Sequence, residues 1–340
     1  MTVRLILLDS ARNMTLFGAC APSNSRSPAI DVFSTRMSLG ETRHLDLHMH
    51  STASDGRLAP AALIELCQRR GLSCVALTDH DTIDGVDEAG QRAAELGLTL
   101  VPGVELSTRW QGVGIHVVAL WCGAPGAALG ALLARQAQAR EVRAEEIAAR
   151  LEKIGLDNAM ARAREQSDGA RLLGRPDFAR ALVEAGLVPD IQAAFKRYLG
   201  AGRPGDVKLH WPDLGETLTA IADGGGVAVL AHPLRYRLTR RKLSMLLDDF
   251  VAAGGEAGEL VNGFQNDDRS RDLASLLAKR ELYASLGSDF HYPGGALAPG
   301  TFSPPPRSAL APIWQHSRLV SAFTAAERTG AADTLSGETP

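Results

Sequence analysis

Short apolar runs alternate with segments of helical periodicity in two separate parts of the chain. In the first part, residues 60–70 and 86–96 carry apolar side chains at helical spacing and end next to a glycine, so they are predicted helices. An alternation of strands and helices is typical of a parallel sheet or a (β/α) barrel. The predicted strands of this part are residues 45–50, 74–80, 98–106 and 115–121.

The middle of the chain has a different pattern. No strand pattern is found between residues 124 and 205, and residues 131–153 are rich in Ala, Arg, Glu and Leu, which are strong helix formers. An all-helical insertion is therefore predicted. The alternation then returns, with strands at 226–231, 257–261 and 283–288 and helices at 241–252 and 271–279. The predicted division is an extension at 1–43, barrel at 44–123, helical insertion at 124–205, barrel at 206–325 and a frayed tail at 326–340.

The remaining features of the chain indicate a cytoplasmic protein. Residues 1–43 show no sustained periodicity and are expected to be disordered, and Met37 is an alternative start just before the first strong motif. No apolar run approaches the roughly 20 residues of a membrane span, and residues 5–8 are too short for a signal peptide.

Four cysteines form no Cys-x-x-Cys pair, which favours buried, reduced thiols. The net charge of −3 gives no general attraction to nucleic acid.

Six of the nine histidines lie within or at the end of a predicted strand. In parallel α/β folds, and above all in (β/α) barrels, active sites are assembled at the carboxyl ends of the strands. We therefore expect six imidazoles to converge on one rim. These six are His48, His50, His80, His116, His232 and His291, whereas His44, His210 and His316 lie outside the predicted strands.

The first motif pairs two histidines with two carboxylates. Alternation along a strand places Asp46, His48 and His50 on one face. Two imidazoles two residues apart can hold one ion, although His-x-His by itself is a weak signal. The polar loop that follows carries Asp55, in a position from which a second ion could be reached.

Two further motifs place charge at strand ends. His80 stands between Asp79 and Asp81, an arrangement that suits a metal ligand oriented by neighbouring carboxylates. The alternative is a polar strand end with a helix cap. Glu105 lies inside an apolar strand, where an unpaired carboxylate would be costly, so a nearby cation would explain it.

The last four candidate residues gain weight only in combination. His116 and His232, taken singly, are as typical of ordinary core histidines, and Asp289 and His291 repeat a spacing of two residues after a strand. The same ligand types at six strand ends favour a metal cluster over coincidence. Imidazole and carboxylate without thiolate suit Mn²⁺, Zn²⁺ or Fe²⁺. Clustered ions of this type serve hydrolysis by generating hydroxide near neutral pH and by clamping phosphoryl oxygens.

With these motifs, the chain resembles the polymerase and histidinol phosphatase (PHP) superfamily over about residues 44–292. The resemblance implies a distorted (β/α)₇ barrel with a trinuclear metal site. It is strongest to the group that contains 3′,5′-nucleoside bisphosphate phosphatase and the 5′-to-3′ exoribonuclease called ribonuclease AM, which also has a helical insertion. The shared phrases are Phe-Ala-Arg at 178–180, Phe-Lys-Arg-Tyr-Leu at 195–199 and Val-Ala-Val-Leu-Ala-His-Pro at 227–233.

The resemblance also implies nine metal ligands, three divalent ions with Mn²⁺ favoured over Zn²⁺ or Fe²⁺, and a metal-bridging hydroxide as the attacking group. Asp55 stands where several other PHP branches have His, which matches the bisphosphatase-like group. The implied ligands are His48, His50, Glu105 and Asp289 for the first ion, Asp55, His80 and His291 for the second, and Glu105, His116 and His232 for the third, with Glu105 bridging.

The helical insertion is the part that bears on the substrate. It departs from the group's usual Arg-Thr-His-Phe and Gly-Tyr-Val, with Arg-Pro-Asp-Phe at 175–178 and Gly-Asp-Val at 205–207. Thirteen Lys and Arg against ten Asp and Glu give it a net charge of +3, and the rest of the chain carries −6. Guanidinium groups match phosphate oxygens, although ordinary solvated helix charge is the alternative for each residue. The candidates to bind a second phosphate are Arg175, Lys196, Arg197 and Arg203.

Four functions are compatible with these patterns. The first is hydrolysis of a phosphate monoester in a 3′,5′-nucleoside bisphosphate, with the insertion binding one phosphate while the metals cleave the other. The rival is a 5′-to-3′ exoribonuclease that trims short RNA ends at the same ions. It would need a track of basic and aromatic groups, yet aromatic residues are 5% of the chain and no such cluster is visible.

The two remaining functions fit less well. A non-hydrolytic PHP accessory module would lose ligands, whereas every expected position is filled. An amidohydrolase often carries a metal-bridging lysine, and no predicted strand end has one. Stable binding to duplex nucleic acid or to membranes is not expected, and the oligomeric state is left open.

Overall fold

The computed structural model describes Leu39 and residues 44–167, 171–207 and 210–323. Apart from Leu39, the predicted extension at 1–43 lies outside the described residues, as does the predicted tail at 326–340. Within the described ranges, seven strands form one sheet in sequential order. They are β1 (Leu45–Asp46), β2 (Cys74–Leu77), β3 (Thr99–Trp110), β4 (Val113–Leu120), β5 (Val227–Leu230), β6 (Ala257–Asn262) and β7 (Tyr283–Gly287).

The sheet curves into a nearly closed barrel. β1 to β3 are parallel to one another, and so are β5 to β7. Just beyond β1, the Leu47 N–H donates to the carbonyl of Leu286 in β7 at 3.1 Å, and Met49 bridges to Phe290. These contacts join the two edges of the sheet, so the predicted seven-stranded (β/α) barrel is confirmed.

The distortion of the barrel lies in β4, which is antiparallel to both of its neighbours. β3 and β4 form a hairpin in which Trp110 pairs with Val113. The two residues between them, Gln111 and Gly112, have φ of 48° and 76°, as a type I′ turn requires. The sequence predicted this strand but not its direction, because Gln rather than Asn or Asp precedes the glycine.

The described helices are α1 (Pro60–Arg69), α2 (Val86–Glu95), α3 (Ala127–Glu152), α4 (Ala159–Glu165), α5 (Arg175–Glu184), α6 (Ile191–Ala194), α7 (Leu214–Asp223), α8 (Arg240–Ala252) and α9 (Asp267–Ala278). Residues Phe195–Leu199 extend α6 as a π-helical turn. α7 was not predicted, although Asp213 and Glu216 form a start signal at helix spacing. α9 begins four residues before its predicted start because the Asn266 side chain accepts the N–H groups of Asp268 and Arg269.

The helix α3 connects two hydrophobic cores. Near its start, Leu129 and Leu132 belong to the core of the barrel. In its second half, Ile147 and Leu151 belong to a separate core that also contains Phe178 of α5. The helical segment therefore has a core of its own and is joined to the barrel by one continuous helix. The domain limits drawn from the sequence stay predictions.

Two of the described thiols are buried in the barrel and stay protonated. Cys67 and Cys74 are buried free cysteines, as predicted, whereas Cys122 is half-buried and Cys20 lies outside the described residues. Burial raises the pKa of Cys67 and of Cys74 well above the ordinary thiol range, which keeps both protonated. Among the described residues, no helix combines the length and apolar character needed to cross a bilayer.

Candidate metal centre

The rim formed by the carboxyl ends of the parallel strands brings all nine predicted ligands together, and the antiparallel β4 reaches this rim with His116 in the first half of the strand. β6 is the one strand from which no ligand was predicted. His48, His50 and Asp55 follow β1, His80 follows β2, Glu105 and His116 lie within β3 and β4, His232 follows β5, and Asp289 and His291 follow β7.

Glu105 occupies the centre of the cluster and is only 1% exposed. Its Oε1 lies 2.8 Å from His116 Nδ1 and 2.7 Å from His232 Nε2. Its Oε2 lies 3.0 Å from His80 Nδ1 and 3.3 Å from His48 Nε2. His50 Nε2 also lies 3.4 Å from Oε2. Each carboxylate oxygen thus faces a different set of imidazoles, which is the geometry that a bridging ligand needs.

The other carboxylates complete two further groups. His48 Nε2 and His50 Nε2 are 3.1 Å apart, and His50 Nε2 is also 3.1 Å from Asp289 Oδ1. Asp55 Oδ1 lies 3.4 Å from His291 Nε2. Three sets of side chains offer ligand atoms within 4.8 Å of one another. They are His50, Asp55, His80 and His291; His48, His50 and Asp289; and His80, Glu105 and His116.

Unpartnered polar atoms show that divalent cations fit this cluster. His50 Nδ1, Asp55 Oδ1 and His80 Nδ1 are buried and face other ligand atoms of the cluster, yet none of them forms a well-aligned hydrogen bond with a described residue. A buried polar atom without a partner is costly, and few are found in folded proteins. Cations bound between these imidazoles and carboxylates would satisfy them, and the absence of thiolates suits borderline ions.

The electrostatics of the cluster keep its carboxylates ionised. Burial acts to raise the pKa of Glu105, but the imidazoles of His80 and His116 outweigh it and hold that pKa well below its usual range. The same balance between burial and neighbouring imidazoles holds the pKa of Asp55 and of Asp289 well below the usual range. Three anionic ligands are therefore ready to bind cations.

The backbone around the cluster is strained. His232 and Asp289 have φ of 30° and 55°, and Asp81 beside His80 has 53°. Left-handed conformations are uncommon outside glycine and cluster at functional sites. Gly287 is required by a close approach, since a Cβ there would lie 2.4 Å from Cβ of His48. The fold thus accepts local strain to place these ligands.

The sequence analysis missed Glu259 of β6, which is buried and orients two of the ligands. Its Oε1 lies 2.7 Å from His48 Nδ1, and its Oε2 accepts from the His232 backbone N–H at 2.5 Å and from Asn262 Nδ2 at 2.9 Å. If His48 Nδ1 carries the proton, Nε2 is left as the ligand atom that faces Glu105. The signal was available, because a carboxylate inside an apolar strand is the pattern that identified Glu105.

Replacing Glu259 with Gln is expected to weaken divalent-metal binding by about 10–100-fold. An amide has one acceptor, so it can accept from His48 or from the His232 N–H but not from both. Metal titration by calorimetry would measure the change. Glu65→Gln on the surface of α1 is the matched control, and equal affinities in the two variants would contradict the orienting role.

A cleft of about 1100 Å³ opens over the cluster, between the barrel rim and the helical segment. Of the four predicted phosphate ligands, Arg175, Lys196 and Arg203 line this cleft. Arg197 is exposed and is not among the lining residues. The structure therefore keeps three of the four as candidates to contact a substrate.

Two arginines of α3 also line the cleft and were missed. Arg140 donates from Nε and Nη2 to Asp81 Oδ2 at 2.7 and 2.6 Å, and Arg143 donates to the Val207 carbonyl at 2.7 Å. Both guanidinium groups lie over the Trp211 ring, at 5.5 and 5.1 Å. Positions 136, 140 and 143 are polar at helical spacing, and this stripe was the available signal.

Comparison with known proteins identifies the family. A model of the PHP domain matches residues 46–162. The 5′-3′ exoribonuclease of Haemophilus influenzae is 42% identical over 274 residues, which cover 81% of this chain and 99% of that protein. The chain belongs to the PHP-domain family. As a member, this PHP-domain protein is a metal-dependent phosphoesterase, and the resemblance stated above is confirmed.

Two further comparisons point to Chromobacterium violaceum. Its 3′,5′-nucleoside bisphosphate phosphatase is 38% identical over 251 residues, which cover 74% of the PHP-domain protein and 88% of that enzyme. A solved structure, described as an amidohydrolase with bound sulfate and no metal, matches at a TM-score of 0.76 and 37% identity. It covers 82% of this chain and 96% of that one, so the likeness includes the helical segment.

Proposed function

We propose that this PHP-domain protein hydrolyses the 3′-phosphate of 3′,5′-nucleoside bisphosphates. The observation that carries the proposal is the pairing, in one cleft, of the ligand cluster with a wall of guanidinium groups. The cluster would act on one phosphate while the wall binds the other. The name of the C. violaceum relative supports the same substrate class.

The guanidinium wall consists of Arg140, Arg143 and Arg175. The pKa of Arg143 is lowered to about 9, chiefly by burial and further by repulsion from Arg175 and Arg140. Burial also lowers the pKa of Arg175, whose Nη1 is 3.9 Å from Asp206 Oδ1. A substrate phosphate among these groups would relieve their repulsion and accept charge-assisted hydrogen bonds.

The nine ligand residues would hold the cations, with three Mn²⁺ ions as the proposed set. Bound there, such ions supply a nucleophile near neutral pH and neutralise charge on phosphoryl oxygens. The protein's own groups do the positioning. Arg235 forms an ion pair with Asp289 and lines the cleft, where it can meet a phosphoryl oxygen. Tyr236 holds the strand ends by accepting from the His116 N–H at 2.9 Å and donating to the Ala231 carbonyl at 2.7 Å.

A 5′-3′ exoribonuclease is the second candidate. An RNA chain with a 5′-phosphate presents the same groups as the bisphosphate, because its first nucleotide carries a 5′-phosphate and a 3′-linked phosphoryl. The cleft, at about 1100 Å³, is slightly larger than the roughly 300–1,000 Å³ of most small-molecule sites. The H. influenzae relative with this name matches over nearly its whole length.

The other two functions have less support. The nine ligands and the buried Glu259 are all in place, whereas an accessory module would be free to lose them. No lysine lies at a strand end in the described part of the barrel, so a metal-bridging lysine of the amidohydrolase type is not provided there.

The test measures phosphate release by the Mn²⁺-loaded protein. We expect 3′-phosphoadenosine 5′-phosphate to be preferred over 3′-AMP by about 10–100-fold, because hydrogen bonds to a charged group contribute about 1.5–3 kcal/mol. Arg143→Met should remove this preference and leave 3′-AMP hydrolysis unchanged. Chelation of the metal should stop both reactions.

Arg150→Met, on the same helix, is the matched control and should keep the preference. Hydrolysis of 5′-AMP as fast as the bisphosphate would contradict the proposal. Faster turnover of short 5′-phosphorylated RNA than of the bisphosphate would make the exoribonuclease the main activity.

A further inference from the structure

The two most exposed large apolar side chains of the described residues lie on loops of the rim that carries the cluster. Phe264 follows β6 and is 61% exposed, and Tyr292 follows β7 and is 58% exposed. Most large apolar side chains described in this protein are buried. An exposed aromatic pair at the rim of an active site therefore calls for a binding partner.

Backbone contacts place both aromatic residues on neighbouring loops of the same rim. Tyr292 comes directly after the ligand His291. Phe264 comes directly after Gly263, whose N–H donates to the carbonyl of Gly287 at the end of β7 at 2.9 Å. The carbonyl of Gly263 accepts from the Ser303 N–H at 3.0 Å. The loop after β6 thus lies against the segment that leaves β7.

The helical segment lies over the loops that follow β1 and β2, where Leu172 and Gly174 line a small cavity together with Ser54 and His80. Arg140 contacts Asp81 beyond β2, and Gln136 donates to the Ser107 carbonyl of β3 at 2.6 Å. A substrate whose 5′-phosphate met the arginines of α3 would therefore enter from the side of β2 and β3. Its 3′ continuation, beyond the cluster, would leave over the loops that follow β5, β6 and β7.

Basic side chains flank the aromatic pair along that exit. The Arg57 N–H donates to the His291 carbonyl at 2.8 Å, which places this exposed residue next to Tyr292. On the other side, Arg235 and Arg237 of the loop after β5 line the cleft. The sequence showed no basic-aromatic cluster because its members come from loops that span residues 57 to 292.

We propose that Phe264 and Tyr292 form a base-stacking shelf for single-stranded RNA, which binds the nucleotides on the 3′ side of the cleaved phosphate. The flanking arginines would contact the backbone phosphates. Stacking on aromatic rings is tolerant of sequence, and its combination with basic groups is how single strands are bound. This inference rests on the proposed function, because it assumes that phosphoryl hydrolysis occurs at the cluster.

The test compares two substrates and a series of lengths. In the double variant Phe264→Ala/Tyr292→Ala, the rate of hydrolysis of 3′-phosphoadenosine 5′-phosphate should stay within about twofold of the wild-type rate, since that substrate ends at the cluster. For 5′-phosphorylated RNA of three or more nucleotides, kcat/KM should fall about tenfold or more, as expected for lost base stacking. Phe264→Trp/Tyr292→Phe should retain the activity, and Met245→Ala, an exposed apolar residue of α8, is the control.

A binding measurement makes the test independent of turnover. In a catalytically inactive Glu105→Gln background, fluorescence anisotropy with labelled 5′-phosphorylated hexanucleotide should show the same loss of affinity when the two aromatic residues are removed. Unchanged RNA affinity would overturn the shelf and would favour a protein partner for this surface. If wild-type protein hydrolyses neither substrate, the proposed function fails, whereas the binding result still decides the shelf.

Discussion

Replacing Glu105 with Gln is expected to lower phosphate release by at least about a thousandfold while the fold is retained. Each oxygen of Glu105 faces a different set of imidazoles, so a single amide oxygen can serve one set only. The change also removes the negative charge that the imidazoles hold in its ionised form. Metal ions contribute several kcal/mol to such reactions, and about 4 kcal/mol is a factor of a thousand.

Three measurements check this expectation. Turnover of 3′-phosphoadenosine 5′-phosphate gives the activity, metal analysis gives the ion content, and circular dichroism with thermal unfolding verifies the fold. Glu216→Gln is the matched control, because Glu216 lies on the surface of α7 and pairs only with exposed Arg135 among the described ion pairs. A folded Glu105→Gln protein with normal activity would show that Glu105 does not bridge.

The ligand cluster could be predicted because its signal is local. A histidine or a carboxylate at the end of an apolar run, such as His80 or Asp289, identifies the rim of a barrel without any knowledge of which strands are neighbours. The structure adds the pairing, since β7 approaches His48 through Gly287 and closes the ring. Glu259 was not among the predicted ligands, although it carries the same local signal as a carboxylate within the apolar strand β6.

The direction of β4 could not be predicted from the same pattern. A strand that is buried on both faces is apolar whether it runs parallel or antiparallel, and the turn at Gln111 carries a weak hairpin signal. The direction matters for function, because it places His116 opposite Ser107 of β3, two residues from Glu105.

The cleft depends on contacts between parts of the chain that are distant in sequence. Arg140 and Arg143 belong to a helix whose polar residues looked like ordinary solvated charge. Their roles follow from Asp81 and Trp211, which lie about 60 to 70 positions away in opposite directions along the chain. The sequence prediction named Arg197 together with Arg175, Lys196 and Arg203. Of these four, Arg197 alone is not among the residues that line the cleft, since net charge cannot tell which side of a helix faces the cluster.

Replacing Arg140 with Met is expected to destabilise the protein by about 3–5 kcal/mol, because it leaves the carboxylate of Asp81 buried without its cation. The Asp81 side chain is fully buried and that of Arg140 is 9% exposed. Asp81 also accepts from the Ser107 N–H at 2.6 Å and from its hydroxyl at 2.8 Å. Urea unfolding would measure the loss, and Arg135→Met, an exposed arginine of the same helix, should change stability by no more than about 0.5 kcal/mol.

A double variant separates the uncompensated charge from lost packing. Asn tolerates the left-handed backbone of residue 81 and carries no charge, so Asp81→Asn should recover part of the stability that Arg140→Met removes. Metal affinity should not recover, because the link from α3 to the strand ends that carry His80 and Glu105 stays broken. Equal stability of Arg140→Met and Arg135→Met would contradict this account. Since the same contact holds the helical segment on the barrel and fixes two ligand-bearing strand ends, substrate binding and metal binding should weaken together in Arg140→Met.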